Sequence, residues 1–131
     1  MIKAEEALSR LKEGNARYVS NTLEHAASLT QSRRTALTRQ QQPFAIVLGC
    51  SDSRVPAEFV FDQGLGDLFV IRVAGNIVAP SQIGSIEFAA SRFGTRLVVV
   101  LDPFAVWSDS CDIGRTPIAD RKSITESSID R

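Results

Sequence analysis

Residues 44–73, "FAIVLGCSDSRVPAEFVFDQGLGDLFVIRV", decide the fold: two apolar runs, 44–49 and 67–73, bracket a loop that holds Cys50, Asp52 and Arg54 on alternate positions. Continuous apolar, β-branched runs, without the alternation of a half-exposed strand, suit strands covered on both faces, the pattern of parallel sheets. A third such run, "TRLVVVL", occupies 95–101. Between the second and third, "PSQIGSIEFAASRFG" sets Ile83, Ile86, Ala90 and Phe93 at helical spacing, with Pro80 and Ser81 at its start and Gly94 after it. Strand, helix, strand is a β-α-β unit. The fold class that follows is α/β, a parallel β-sheet with flanking helices in strand order 2-1-3.

Working outward, Ala4, Leu8, Leu11 and Tyr18 recur at steps of three and four and mark an amphipathic first helix. Residues 20–42 are polar, with one weak helical stretch from about Leu29, and read as a surface connection. A chain of 131 residues with 44% hydrophobic content supports one domain with a core. Fifteen Lys and Arg balance fifteen Asp and Glu, so nothing draws the whole chain to nucleic acid or to an anionic membrane. No window approaches the apolar length of a membrane span or a signal peptide, and the expectation is a cytoplasmic protein. Two cysteines, Cys50 and Cys111, make no disulfide framework.

The sequence divides at 101. Residues 1–101 form the α/β domain, and residues 102–131 carry ten charged residues and five serines with no period of 2 or 3.6, which predicts a disordered tail. The sheet is then expected to be truncated after its third strand, with "RLVVVL" as an exposed apolar edge.

In an open parallel sheet, ligands bind beyond the carboxyl ends of the strands, where the winding reverses. Cys50 stands at that end of the first strand. A thiolate there is a soft donor suited to zinc, Asp52 can supply an oxygen, and Arg54 is spaced to grip that carboxylate with paired hydrogen bonds. A second reading makes Cys50 a small buried hydrophobe, with Asp52 and Arg54 capping the helical turn that Pro56 begins. A thiol phosphatase needs a longer anion loop than "CSDSR". A dinucleotide fingerprint needs more glycine than Gly49 alone supplies there.

"PFAIVLGCSDSRVPAEFVFDQGLGDLFVIRVAGNIV", followed by "GSIEFAASRFGTRLVVVL", resembles the β-class carbonic anhydrases across residues 1–101, and C-S-D-S-R with a downstream R-x-A-G-N is a specific signature. The resemblance implies zinc-dependent reversible hydration of carbon dioxide to bicarbonate. It implies that Cys50 is a zinc thiolate, that Asp52 and Arg54 form the dyad governing the open zinc position, and that Gln41 helps to hold substrate. It also implies a homo-oligomer in which the first helix packs on a second subunit.

One element of the family is missing. Its other two zinc ligands come from a G-H-x-x-C-G element after the third strand, where this chain has "DPFAVWSDSCDIG". The single histidine, His25, lies in the polar connection and reads as a surface residue, and Cys111 reads as a free thiol in the tail. Codons for Pro103 to Trp107, read one base later, can encode His-Ser-Gln-Cys-Gly, which places the missing ligands where the family has them. A frameshift near Asp102 is the leading explanation of the tail, ahead of a naturally divergent one, and the chain as written is expected to be impaired. The alternative is a non-catalytic subunit or dimerisation module that binds partners through its first helix, or a small binder of anions.

Overall fold

The computed structural model describes residues 2–25, 30–101 and 124–128, the last by its backbone. The three parallel strands are β1 (Ala45–Cys50), β2 (Leu68–Val73) and β3 (Leu97–Leu101), in the expected order β2-β1-β3. Their register sets Gly49 beside Arg72 on one side and Leu101 on the other. All six residues of β1 are buried, as its unbroken apolar run requires. Alternation along the strand divides the core. Ala45 and Val47 pack with Leu68, Leu97 and Val99, whereas Ile46 packs with Ala89, Ala90 and Val98.

Helix α1 (Ala4–Val19) and the single turn α3 (Ala57–Val60) cover the first face, and α4 (Pro80–Phe93) covers the second. Helix α2 (Gln31–Leu37) is the weak helical stretch, begun by Thr30, whose hydroxyl accepts from the Arg33 N–H. Helix α4 starts with Pro80 at its first position and ends at Gly94, which takes the left-handed conformation (φ 64°) that stops a helix.

Two expectations change. A fourth strand, β4 (Ile124–Ser128), pairs antiparallel with β3, Leu97 opposite Ser128 and Leu101 opposite Ile124, so this edge of β3 is covered. The polar "ITESS" lacks the apolar pattern of an inner strand, and only backbone pairing places it. The remainder of the expected disordered tail, 102–123 and 129–131, lies outside the described residues, as does Cys111. On α4, Ile83 is exposed, because it sits at the rim of the apolar stripe in the first turn; Ala89 and Ala90 hold the buried centre. On α1, Ala7 and Leu11 are buried against the sheet, and Ala4, Leu8 and Tyr18 are partly buried against the same core.

A close contact fixes α1. A four-residue helix cannot hold itself together, and the carbonyls at its end need donors. Asn15 donates its side-chain amide to the Val60 carbonyl at 3.0 Å, and Gln63 donates to the Phe61 carbonyl at 2.7 Å. Gly14 faces that same carbonyl: a Cβ built on it would stand 1.8 Å from the Phe61 oxygen. Beside this contact, buried Asp62 accepts from the Arg17 guanidinium and from the backbone N–H groups of Glu24 and His25, tying α1 and the connection after it to the end of α3. Burial pushes the Asp62 carboxyl up, but the Arg17 hydrogen bond and these N–H donors outweigh it and hold the group down at about 2.

Gly14→Ala should therefore force α1 away from the sheet, at a cost of about 2 kcal/mol or more for an overpacked contact against backbone. Urea unfolding followed by circular dichroism checks this. A lowered midpoint is expected, and an unchanged one would show that α1 does not seat as described.

Candidate functional site

At the carboxyl end of β1 the chain leaves the sheet at Cys50, and the Ser51 N–H donates to the Val73 carbonyl at 3.2 Å. The loop then closes on itself. The Val55 N–H donates to the Asp52 carbonyl at 3.2 Å, and one Asp52 carboxylate oxygen, Oδ1, accepts from the Arg54 N–H at 2.9 Å. A short acidic side chain two residues before the donor forms this turn readily. The Arg54 side chain grips the same carboxylate: Nε donates to Oδ1 at 3.0 Å and Nη2 to Oδ2 at 2.7 Å. This is the two-point arginine fork expected from the spacing.

Asp52 is nearly buried, its side chain 9% exposed, whereas that of Arg54 is 57% exposed. The hydrogen bonds from the Arg54 side chain, then from its backbone N–H, lower the Asp52 carboxyl to about 2 against the opposing effect of burial. Asp52 is thus an ionised acceptor of fixed orientation beside a buried cysteine.

Sequence reasoning gave Arg72 no role. It lies on β2 opposite Gly49, and its guanidinium donates to the Cys50 carbonyl at 2.8 Å and to the Asp52 carbonyl. It takes up the carbonyls that the strand end would otherwise leave without donors. The available signal was its place in R-x-A-G-N, five positions into β2. Past it, Gly75 (φ 74°) and Asn76 (φ 55°) turn the chain sharply against the end of β1, and the buried Asn76 Oδ1 has no hydrogen-bond partner among the described residues.

The other candidates fall elsewhere. Gln41 precedes β1 and is exposed, so the six-residue strand, roughly 17 Å long at about 3.3 Å per residue, separates it from Cys50 within one chain. His25 belongs to the Asp62 cluster: its N–H donates to Asp62 at 2.9 Å and its ring Nδ1 stands 3.6 Å from the same carboxylate.

A catalytic zinc takes three protein ligands and keeps one position open. Cys50 and Asp52 are two donors, and both oxygens of Asp52 are held by Arg54. Among the described residues no group of three histidine, cysteine or acidic side chains could hold a metal. These residues therefore do not fit a complete zinc site. Leu101, where β3 ends, pairs with Gly49, one residue before Cys50.

A family model described as carbonic anhydrase matches residues 45–102. A carbonic anhydrase of Mycolicibacterium smegmatis is 47% identical over 105 residues, covering 80% of this chain and 48% of that protein. Among solved structures, the β-carbonic anhydrase CcaA superposes with a TM-score of 0.53 at 29% identity, over 72% of this chain and 47% of its own. A tetrameric β-carbonic anhydrase of Sordaria macrospora gives a TM-score of 0.51 at 26% identity, over 72% of this chain and 48% of its own. The chain spans about half the length of the curated mycobacterial relatives it matches.

The clamp makes a titration prediction. A carboxyl lowered to about 2 contributes stability above its unfolded value, near ~3.9, and loses that contribution as pH falls through about 2. Carboxyl resonances followed by NMR should show Asp52 titrating near 2 in the native protein and moving up toward the ordinary carboxylate range in Arg54→Ala. A midpoint unmoved by the substitution would mean that Arg54 does not hold the group.

Proposed function

We propose, for a chain whose residues 45–102 belong to the β-class carbonic anhydrase family, that the fold serves reversible hydration of carbon dioxide to bicarbonate. Cys50, Asp52 and Arg54 are then this chain's share of the site. The carrying observation is the Asp52–Arg54 fork beside a buried cysteine at the point where β1 and β3 end together. Held by Arg54, Asp52 cannot swing freely toward Cys50, and its ionised oxygens can accept a hydrogen bond from a hydroxyl brought into the cleft. Arg72 fixes the backbone that carries both residues.

The family's zinc belongs to this reading as a partner of Cys50, with its remaining donors supplied from the segment after Leu101. The chain as written has one histidine and two cysteines in all and no His-x-x-Cys element after β3. It is therefore impaired, and a shifted reading frame near Asp102 is the source of the loss.

A homo-oligomer completes the reading, because Gln41 can serve a site like this one only from another copy, and the Sordaria macrospora relative is described as tetrameric. Work in the cytoplasm fits a free, buried Cys50. Among the described residues no helix is long and apolar enough to cross a membrane.

The purified chain should carry much less than one zinc per molecule by mass spectrometry, and its stopped-flow hydration of carbon dioxide should lie near background. One zinc per chain that survives dialysis against a chelator, or turnover well above background, would overturn the reading of a half-built site.

A further inference from the structure

The outer edge of β3 is held by a strand that does not match it. β3 reads Leu-Val-Val-Val-Leu, with Leu97, Val98 and Val99 buried and Val100 and Leu101 half-buried, the composition of a strand inside a sheet. Against it β4 sets Glu126 opposite Val99, Ser127 opposite Val98 and Ser128 opposite Leu97. Cross-strand side-chain pairs stabilise an antiparallel ladder, and here only Leu101 meets an aliphatic residue, Ile124. What β4 supplies along the whole edge is backbone pairing, for which no apolar sequence is needed. Attachment, rather than complementarity, gives β4 its place. A segment of the same chain meets its partner at an effective concentration on the order of millimolar, so a poorly matched strand can hold an edge against better-matched ones in dilute solution.

The better-matched competitor is β3 itself. Leu97–Leu101 reads the same in both directions. Antiparallel pairing of two copies about a twofold axis at Val99 sets Val99 opposite Val99, Val98 opposite Val100 and Leu97 opposite Leu101, so every residue of the edge meets an aliphatic partner. Each β3 would use the backbone groups it now offers to β4, since the residue opposite Val99 again centres the ladder. Such a contact is isologous and closes at a pair of chains. An apolar strand edge left open is the surface through which sheets join, and short polar strands are one means of blocking it. We infer that β3 carries a self-pairing edge for a second copy of this chain, and that β4 masks this edge in cis. The inference does not rest on the catalytic reading, which concerns the strand end at Cys50, and it is separate from any assembly through α1 or Gln41.

The test places T125P/E126P in the full chain, because two successive prolines remove a ladder N–H whichever of them faces β3. In the native chain, amide exchange followed by NMR should be slow at alternate positions of 124–128 and at the β3 amides that face them, whatever the protein concentration. Exchange of 124–128 at unprotected rates in the native chain overturns the proposal, and that measurement stands even if the variant fails to fold. In the dilute variant the same β3 amides should exchange about tenfold or more faster. Raising the concentration should restore their protection while sedimentation velocity shows a species of twice the native mass. A variant that keeps the native mass at every concentration overturns the proposal. So does one that associates while these β3 amides stay unprotected, since the contact then lies elsewhere. If the double-proline chain does not fold, T125G/E126G, which weakens the strand without removing a donor, is read in the same way.

Discussion

Burial of β1 on both faces is the constraint on which the rest of this structure depends. A strand with no exposed residue must pair its backbone groups with two neighbours and have its side chains covered by helices on both sides. Strands β2 and β3 supply the first, and α1 with α3, and α4, supply the second. The same constraint positions the site. Polar chemistry is excluded along the strand, so it begins where the strand stops, at Cys50, in the gap between the ends of β2 and β3. The carbonyls released there would be costly without donors, and Arg72 meets them from β2.

Two carboxylates are held ionised by arginine, with different consequences. Asp62 is buried away from the strand end, and its donors come from α1 and the connection after it, so its charge fastens elements together. Asp52 lies at the strand end, and its side-chain clamp is a single exposed arginine two residues away, so its charge orders a loop and faces a cleft. Both groups are lowered to about 2, and both contributions to stability fade only in strong acid. Near neutrality neither titrates, which suits fixed rather than switching roles.

Much of this was legible in sequence, for identifiable reasons. The apolar runs at 44–49, 67–73 and 95–101 gave the parallel strands, although only β1 is buried throughout and the edge strand β2 is mostly half-buried. The C-S-D-S-R spacing gave the Asp52–Arg54 fork, a local contact that needs no knowledge of the fold. Gly14 left no signal, since its reason is the approach of a carbonyl 47 positions away in sequence, that of Phe61. Arg72 was hidden likewise, because its partners are brought to it by strand register. Gln41 was given a part in holding substrate, and strand length sets it at the far end of β1 from Cys50 within one chain; the polar 124–128 gave no hint of pairing with β3.

The account's central claim is that Cys50 and its loop are one half of a zinc site whose other half follows β3. It is tested most directly by restoring the reading frame near Asp102 and measuring zinc per chain, with and without Cys50→Ser. The restored protein should hold one zinc per chain, and the serine variant should lose it, because an unactivated hydroxyl is a poor substitute for a thiolate. Full zinc retained by Cys50→Ser, or none taken up by the restored protein, would contradict the role given to this strand end.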